Sequence, residues 1–173
     1  MPDENRDHTA VNFGASDGTS HDPVYPLYES GYGGIAVECQ QDLKDQLEAA
    51  LSVANTSQRL FAVVEQLRPY RIGPLLQRYQ IPRDFDVLKI DIEGSEWKML
   101  EKVDWHALRI GVLLFEAHPI ALRGRAGDIH RLWSRLESAG LYQYAIEPVE
   151  HHDYSAQEVA FIHKDWTPGG WLR

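Results

Sequence analysis

Cysteine is almost missing from this chain. Cys39 is the only one in 173 residues, so no disulfide forms within the chain and a four-cysteine zinc site is excluded. Positive charge is also scarce: 17 lysines and arginines face 26 aspartates and glutamates, a formal net charge of −9. Phosphate backbones are bound through a lysine and arginine footprint, so this balance argues against a nucleic-acid partner. Two small basic groups, Arg68, Arg71, Arg78 and Arg83, then Arg123 and Arg125, read as solvated surface. No apolar run approaches the ~20 residues that span a bilayer, and the polar, acidic start has no apolar signal core. The expectation is a cytoplasmic protein without a membrane partner. Repeats, low-complexity stretches and linker-like breaks are absent too, so residues 1–173 are expected to form one compact domain with residues 1–9 flexible.

What the chain does have is an alternation of strand-like and helical patterns, the signature of a parallel sheet built from βαβ units. Strands are expected near Ala10–Phe13, Gly34–Glu38, Leu60–Val64, Val87–Ile92 and Val112–Glu116, with two more at Gln143–Ile146 and Glu158–His163. Leu43, Leu47, Ala50, Leu51 and Ala54 share one helical face, as do Ile129, Leu132, Trp133, Leu136 and Ala139 ahead of Gly140. Asp22-Pro23 is suited to open a helix carrying Tyr25, Leu27 and Tyr28, which Gly31 ends. The segment 147–157 reads as a polar loop between the last two strands.

Chemistry is concentrated where strands end. In an open α/β sheet ligands bind beyond the carboxyl ends of the strands. Phe85-Asp86-Val87-Leu88-Lys89-Ile90-Asp91-Ile92-Glu93-Gly94 is an apolar strand that ends in two acids and a glycine, which puts Asp91 and Glu93 in that position. Gly14-Ala15-Ser16-Asp17-Gly18 follows the first strand as a small-residue turn whose backbone amides a ligand approaches closely, with a helix N-terminus expected behind it. Glu38, about 20 residues further on at the tip of the next strand, is placed to accept hydrogen bonds from ribose hydroxyls. A nicotinamide dinucleotide is disfavoured, because the turn is not G-x-G-x-x-G and Asp17 opposes a pyrophosphate. Glu116-Ala117-His118 ends another strand, and a histidine there is the side-chain type suited to general-base work. His151-His152-Asp153 reads as surface loop, since adjacent residues of an extended chain point opposite ways. His21, Tyr25, Tyr28 and Tyr32 are read as core or as lining of a second pocket, and Trp97, Trp105 and Trp133 as packing.

Leu88-Lys89-Ile90-Asp91-Ile92-Glu93-Gly94-Ser95-Glu96, followed by Leu114-Phe115-Glu116, resembles the FkbM-type methyltransferases, class I enzymes that use S-adenosylmethionine and often methylate hydroxyl groups of sugars and natural products. The resemblance runs from about Ala10 to His163. It implies a Rossmann-like sheet, mostly parallel with a C-terminal antiparallel hairpin and helices on both faces. It also implies that Gly14, Ser16, Asp17, Gly18, Glu38 and Asp91 hold the cofactor, with Glu65 toward the adenine, and that Asp91 and Glu93 lie near the transferred methyl. Asp91, Glu93 and His118 are the candidate bases. Asn12 departs from the pattern, standing where class I enzymes often place an acid. The first strand also comes almost at the start of the chain, without the helices that often roof the pocket, so a homo-oligomer completing an open site is expected.

The function these readings favour is O-methylation of a small-molecule hydroxyl. Two others stay open at this point: a methyltransferase-like module that binds without turnover, and a metal-assisted α/β enzyme built on Asp91, Glu93 and His118. Carboxylates with an imidazole suit a divalent metal, though no metal ligand set is assigned.

Overall fold

The structure is a computed structural model that describes residues 8–20, 22–54, 59–66, 68, 72–118, 126–150, 155–167 and 170–171. In chain order the elements are β1 (Thr9–Phe13), α1 (Tyr25–Glu29), β2 (Gly33–Glu38), a 3₁₀ turn (Gln41–Leu43), α2 (Lys44–Val53), β3 (Leu60–Val64), α3 (Ile72–Arg78), β4 (Asp84–Ile90) and α4 (Glu96–Lys102). The rest are β5 (Arg109–Ala117), α5 (Ala126–Ser138), β6 (Leu141–Glu150), β7 (Ser155–His163) and a small hairpin of β8 (Trp166–Thr167) and β9 (Gly170–Trp171). Arg71, Arg123, Arg125, His21 and His151-His152-Asp153 lie outside the described residues.

Seven strands form one sheet in the order β3-β2-β1-β4-β5-β7-β6. The first five are parallel, and β7 runs antiparallel to both β5 and β6. This is the expected Rossmann-like architecture. The chain leaves β1 to one side for β2 and β3, then crosses back to place β4 on the other side, so the order reverses between β1 and β4. Such a switch point opens a crevice at the carboxyl ends of the strands. Register aligns the tips there: Phe13 lies beside both Val37 and Ile90, and Ile90 beside Phe115.

Strands buried on both faces read as near-continuous apolar runs, which is why β1 and β2 lack a polar alternation. On one face Val11, Phe13, Val37, Leu88, Ile90, Leu113 and Phe115 form the core with Leu75 and Leu76 of α3, Trp97 and Leu100 of α4, and Leu132 and Leu136 of α5. Trp97 stacks on Trp133 at 5.9 Å and meets Phe115 edge-on, a packing role for both tryptophans. On the other face Ala10, Ala36 and Val87 pack against Tyr28 of α1 and Leu47 and Leu51 of α2. Tyr28 is fully buried and its hydroxyl donates to the Ile35 carbonyl at 3.1 Å, so it belongs to the core. Beyond β4 this second face is open, with Val112, Leu114 and Ala160 partly exposed and Tyr144 75% exposed. Among the described residues no helix is long and apolar enough to cross a membrane.

Several boundaries differ from expectation for local reasons. Thr9, expected in the flexible lead-in, is the buried first residue of β1, and its amide donates to Asp86 Oδ2 at 3.0 Å. Helix α1 starts at Tyr25, two residues after Pro23, while Asp22 Oδ1 accepts the Val24 amide just ahead of it. β4 ends at Ile90 rather than Ile92, because Glu93 (φ 55) and Gly94 (φ 90) adopt left-handed backbone and turn the chain out of the sheet. β6 and β7 run through most of the expected 147–157 loop, since antiparallel pairing of Glu147 with Glu158 through Glu150 with Ser155 satisfies the backbone whatever the side chains.

Candidate functional site

The tips of β1, β2, β3 and β4 surround a cleft of about 220 Å³ lined by Gly14, Ser16, Glu38, Cys39, Glu65 and Asp91, among others. Gly14 makes the closeness of β1 and β4 possible. Its φ is +83°, and a Cβ on it would sit 1.5 Å from the Asp91 carbonyl oxygen. Its amide and that of Ala15 both donate to the Val37 carbonyl, which folds the turn over the end of β2. Ser16 is also left-handed, at φ 51.

Glu38 reaches under this turn. Its Oε2 accepts the Ser16 amide at 2.8 Å, and its Oε1 accepts the amides of Cys39 at 2.7 Å and Gln40 at 2.9 Å. A carboxylate offers about four lone-pair sites. These amides use three of them, and the Cys39 thiol also bonds the carboxylate. Glu65 follows β3; its amide donates to the Glu38 carbonyl, and its Oε2 accepts Arg78 at 2.9 Å. Cys39 is exposed, and its thiol is raised by partial burial and by Glu38 beside it.

Asp17 and Gly18 are not among the residues that line the cleft. Asp17 folds back on its own turn, where Ser20 and Thr19 hydrogen bonds lower its carboxyl to about 2. Gly18 packs on α2: a Cβ would come within 2.8 Å of Leu47. The turn does not lead straight into a helix, since α1 starts only at Tyr25.

Lys89 and Asp91 lie on the other side of the glycine turn. Lys89 is buried, and its Nζ donates to the Gly14 carbonyl at 3.1 Å and to Asp91 Oδ2 at 3.2 Å. Asp91 Oδ1 is buried with no hydrogen-bond partner. Behind Lys89, the Asp22 carboxylate accepts Asn12 Nδ2 at 2.7 Å; burial raises its carboxyl and the Lys89 charge opposes that. Asn12, in the place of the expected acid, thus brings in an acid from α1's approach. Lys89, Asp91, Glu116, Tyr144, Glu147 and Glu158 line a second cavity of about 210 Å³, on the open side of the sheet. Asp91 belongs to both spaces.

After Asp91 the chain is held by Glu96, which is fully buried and accepts the amides of Ile92 and Gly94 on Oε1, both at 2.9 Å. Its Oε2 is buried without a partner. The same carboxylate lies 3.5 Å from Nδ1 of His118, while Nε2 of His118 is 3.6 Å from Glu93 and 3.9 Å from Glu116. His118 is therefore a buried ring facing three carboxylates, with only Glu93 well exposed. Asp91 is held separately, by Lys89. Among the described residues no three ligand-type side chains are spaced to hold a metal ion.

The structure thus gathers Gly14, Ser16, Glu38, Glu65 and Asp91 around one cleft, with Glu93 on its rim and His118 next to Glu93. Sequence reasoning passed over Lys89, Glu96 and Asp22. The signal for Lys89 was there: a lysine inside an apolar parallel strand is a charge that needs a partner, and the residue two further on shares its face.

The Methyltransferase FkbM domain matches residues 4–144 of the chain. The chain belongs to the FkbM methyltransferase family. The family's activity, transfer of a methyl group from S-adenosylmethionine, is the activity class of this FkbM domain. No curated protein matches it by sequence. Solved structures share its fold at low identity. TrmK of M. capricolum, in complex with S-adenosyl-homocysteine, is 10% identical with a TM-score of 0.60, covering 96% of this chain and 64% of that one. The Methanococcus jannaschii fibrillarin pre-rRNA processing protein is 16% identical with a TM-score of 0.58, covering 95% and 69%. Magnesium protoporphyrin IX methyltransferase from Synechocystis, with bound S-adenosylmethionine, is 13% identical with a TM-score of 0.55, covering 90% and 69%.

Proposed function

We propose that this FkbM methyltransferase, acting as a single domain, methylates a hydroxyl oxygen of a small molecule such as a sugar or another natural product. One observation carries the reading: the cleft at the tips of β1, β2 and β4 and the second cavity over β5, β6 and β7 share Asp91. Methyl transfer from a sulfonium is an in-line displacement in which positioning supplies most of the rate, so donor and acceptor spaces must abut.

The residues of the cleft fit the cofactor. Glu38 lines the cleft beside the glycine turn, the bare Gly14 lets that turn close against Asp91, and Asp91 carries an oxygen with no hydrogen-bond partner. In this reading Gly14, Ser16, Glu38, Glu65 and Asp91 hold the cofactor, while Asp17 and Gly18 keep the turn in shape. S-adenosylmethionine supplies a methyl group on a positively charged sulfur. His118, Glu93 and Asp91 handle the acceptor's proton, which matters only where the acceptor arrives protonated. His118 is the base favoured here, with Glu93 3.6 Å from its Nε2.

The second cavity supports a polyhydroxylated acceptor rather than RNA. Glu116, Glu147 and Glu158 lie in one cross-strand row, Glu116 beside Glu158 and Glu158 beside Glu147, and all three line the space. Carboxylates accept from hydroxyl groups and repel phosphates. The test is a methyl-transfer assay with labelled cofactor against sugars, hydroxylated natural products, amines and RNA. Label on an oxygen of a small molecule supports the reading, and label only on nitrogen or on RNA overturns it.

A further inference from the structure

We infer that Lys89 is a positioning residue for the amino-acid end of the cofactor, acting through Asp91 and the glycine turn; the inference rests on the cleft being the cofactor site. Lys89 lies next to Asn12 in the β1–β4 register, in the interior of a parallel sheet. An ammonium buried there persists only with partners that replace its water. The partners it has are informative, because one is the carbonyl of Gly14 at the end of β1 and the other is the carboxylate of Asp91 at the end of β4. A single side chain therefore ties together the two strand tips that flank the switch point.

This tie fixes how the Asp91 carboxylate is held. Oδ2 is held by Lys89, and Oδ1 is left buried and without a protein partner. A buried carboxylate oxygen without a donor is costly unless a ligand supplies one. Both acids near Lys89, Asp22 and Asp91, are shared by its one positive charge. When all three are ionised the seam carries a charge of −1, which a ligand ammonium balances. The cofactor's amino-acid end carries such an ammonium. Asp91 is the group that reads it, and Lys89 is the group that holds Asp91 in place.

The experiment compares two ligands by calorimetry. S-adenosylhomocysteine has the amino-acid end, and 5′-methylthioadenosine keeps the adenine, ribose and sulfur without it. Wild-type protein is expected to prefer the first. In Lys89→Met the preference falls about tenfold or more, the scale of one lost charge-assisted contact, while 5′-methylthioadenosine binds about as before. A general loosening of the fold would weaken both ligands together. An unchanged preference in Lys89→Met overturns the inference, as does a wild-type protein that binds both ligands equally. If Lys89→Met does not fold, Asp91→Asn carries the same comparison, since it keeps an acceptor for Lys89 while removing the charge; an unchanged preference there also overturns it. Failure of the wild type to bind either ligand overturns the cofactor reading itself.

Discussion

Glu38 organises two turns with one carboxylate. Its oxygens accept amides from Ser16, Cys39 and Gln40, so the glycine turn and the start of the 3₁₀ turn are both organised around it. Truncation leaves three backbone donors without their partner. A buried donor left unsatisfied costs about 1–3 kcal/mol, offset where water enters. Glu38→Ala is therefore expected to lower unfolding stability by about 1–3 kcal/mol and S-adenosylmethionine affinity by about tenfold or more, read by denaturant unfolding and calorimetry. Unchanged affinity in a folded variant removes Glu38 from the ribose site. The place of Glu38 in the cleft was legible in the sequence, because it is an acid at a strand tip a fixed distance after a glycine turn. Asp17 was less so: its carboxylate is used up by Thr19 and Ser20, and a turn's own hydrogen bonds do not show in residue spacing.

At the scale of elements, the site depends on how β1 and β4 end. Gly14 and Gly94 both have positive φ, yet they differ in surroundings: a Cβ at Gly94 meets nothing within 4 Å, while one at Gly14 would overlap the Asp91 carbonyl. Gly94→Ala is thus expected to cost about 1 kcal/mol from backbone strain alone. Gly14→Ala is expected to cost clearly more, about 3 kcal/mol or above, and to disturb Asp91. Thermal unfolding of the two variants checks the order, and equal losses would contradict it.

The end of β7 makes a pH prediction. His163 packs its ring on Gly140 and accepts the Asp165 amide on Nδ1, and burial lowers its pKa below the ordinary 6.5. The unfolded chain therefore takes up a proton first as the pH falls. Stability is fully present above about pH 6.5 and is lost progressively below it. His163→Gln should flatten the stability profile between about pH 7 and 5, measured by urea unfolding. A wild-type profile equally flat in that window contradicts the account. Strand and helix positions were legible from apolar patterning, whereas their ends were not. The end of β4 is set by Glu96 reaching back to the amides of Ile92 and Gly94, and the reach of β6 and β7 by pairing between chain segments rather than by their own residues.

Over the whole molecule, the sheet order puts the acids of β2, β4 and β5 along one edge. The alternation of strands and helices announced a parallel sheet, and the acids at strand ends announced the working edge. The Lys89 bond across β1 and β4 was not legible, because the sequence does not state that these two strands are neighbours; 75 residues separate Lys89 from Gly14. Nor was the second cavity, which exists because the sheet beyond β4 is left open on one face and Asp91 lines both spaces. The central claim is that the cleft at this edge holds S-adenosylmethionine through these side chains. Calorimetric titration with S-adenosylmethionine, in the presence of magnesium and again with chelator, tests it most directly. The account predicts binding in about the micromolar range, the same with and without the metal. An absence of binding to the wild-type protein under both conditions would contradict it.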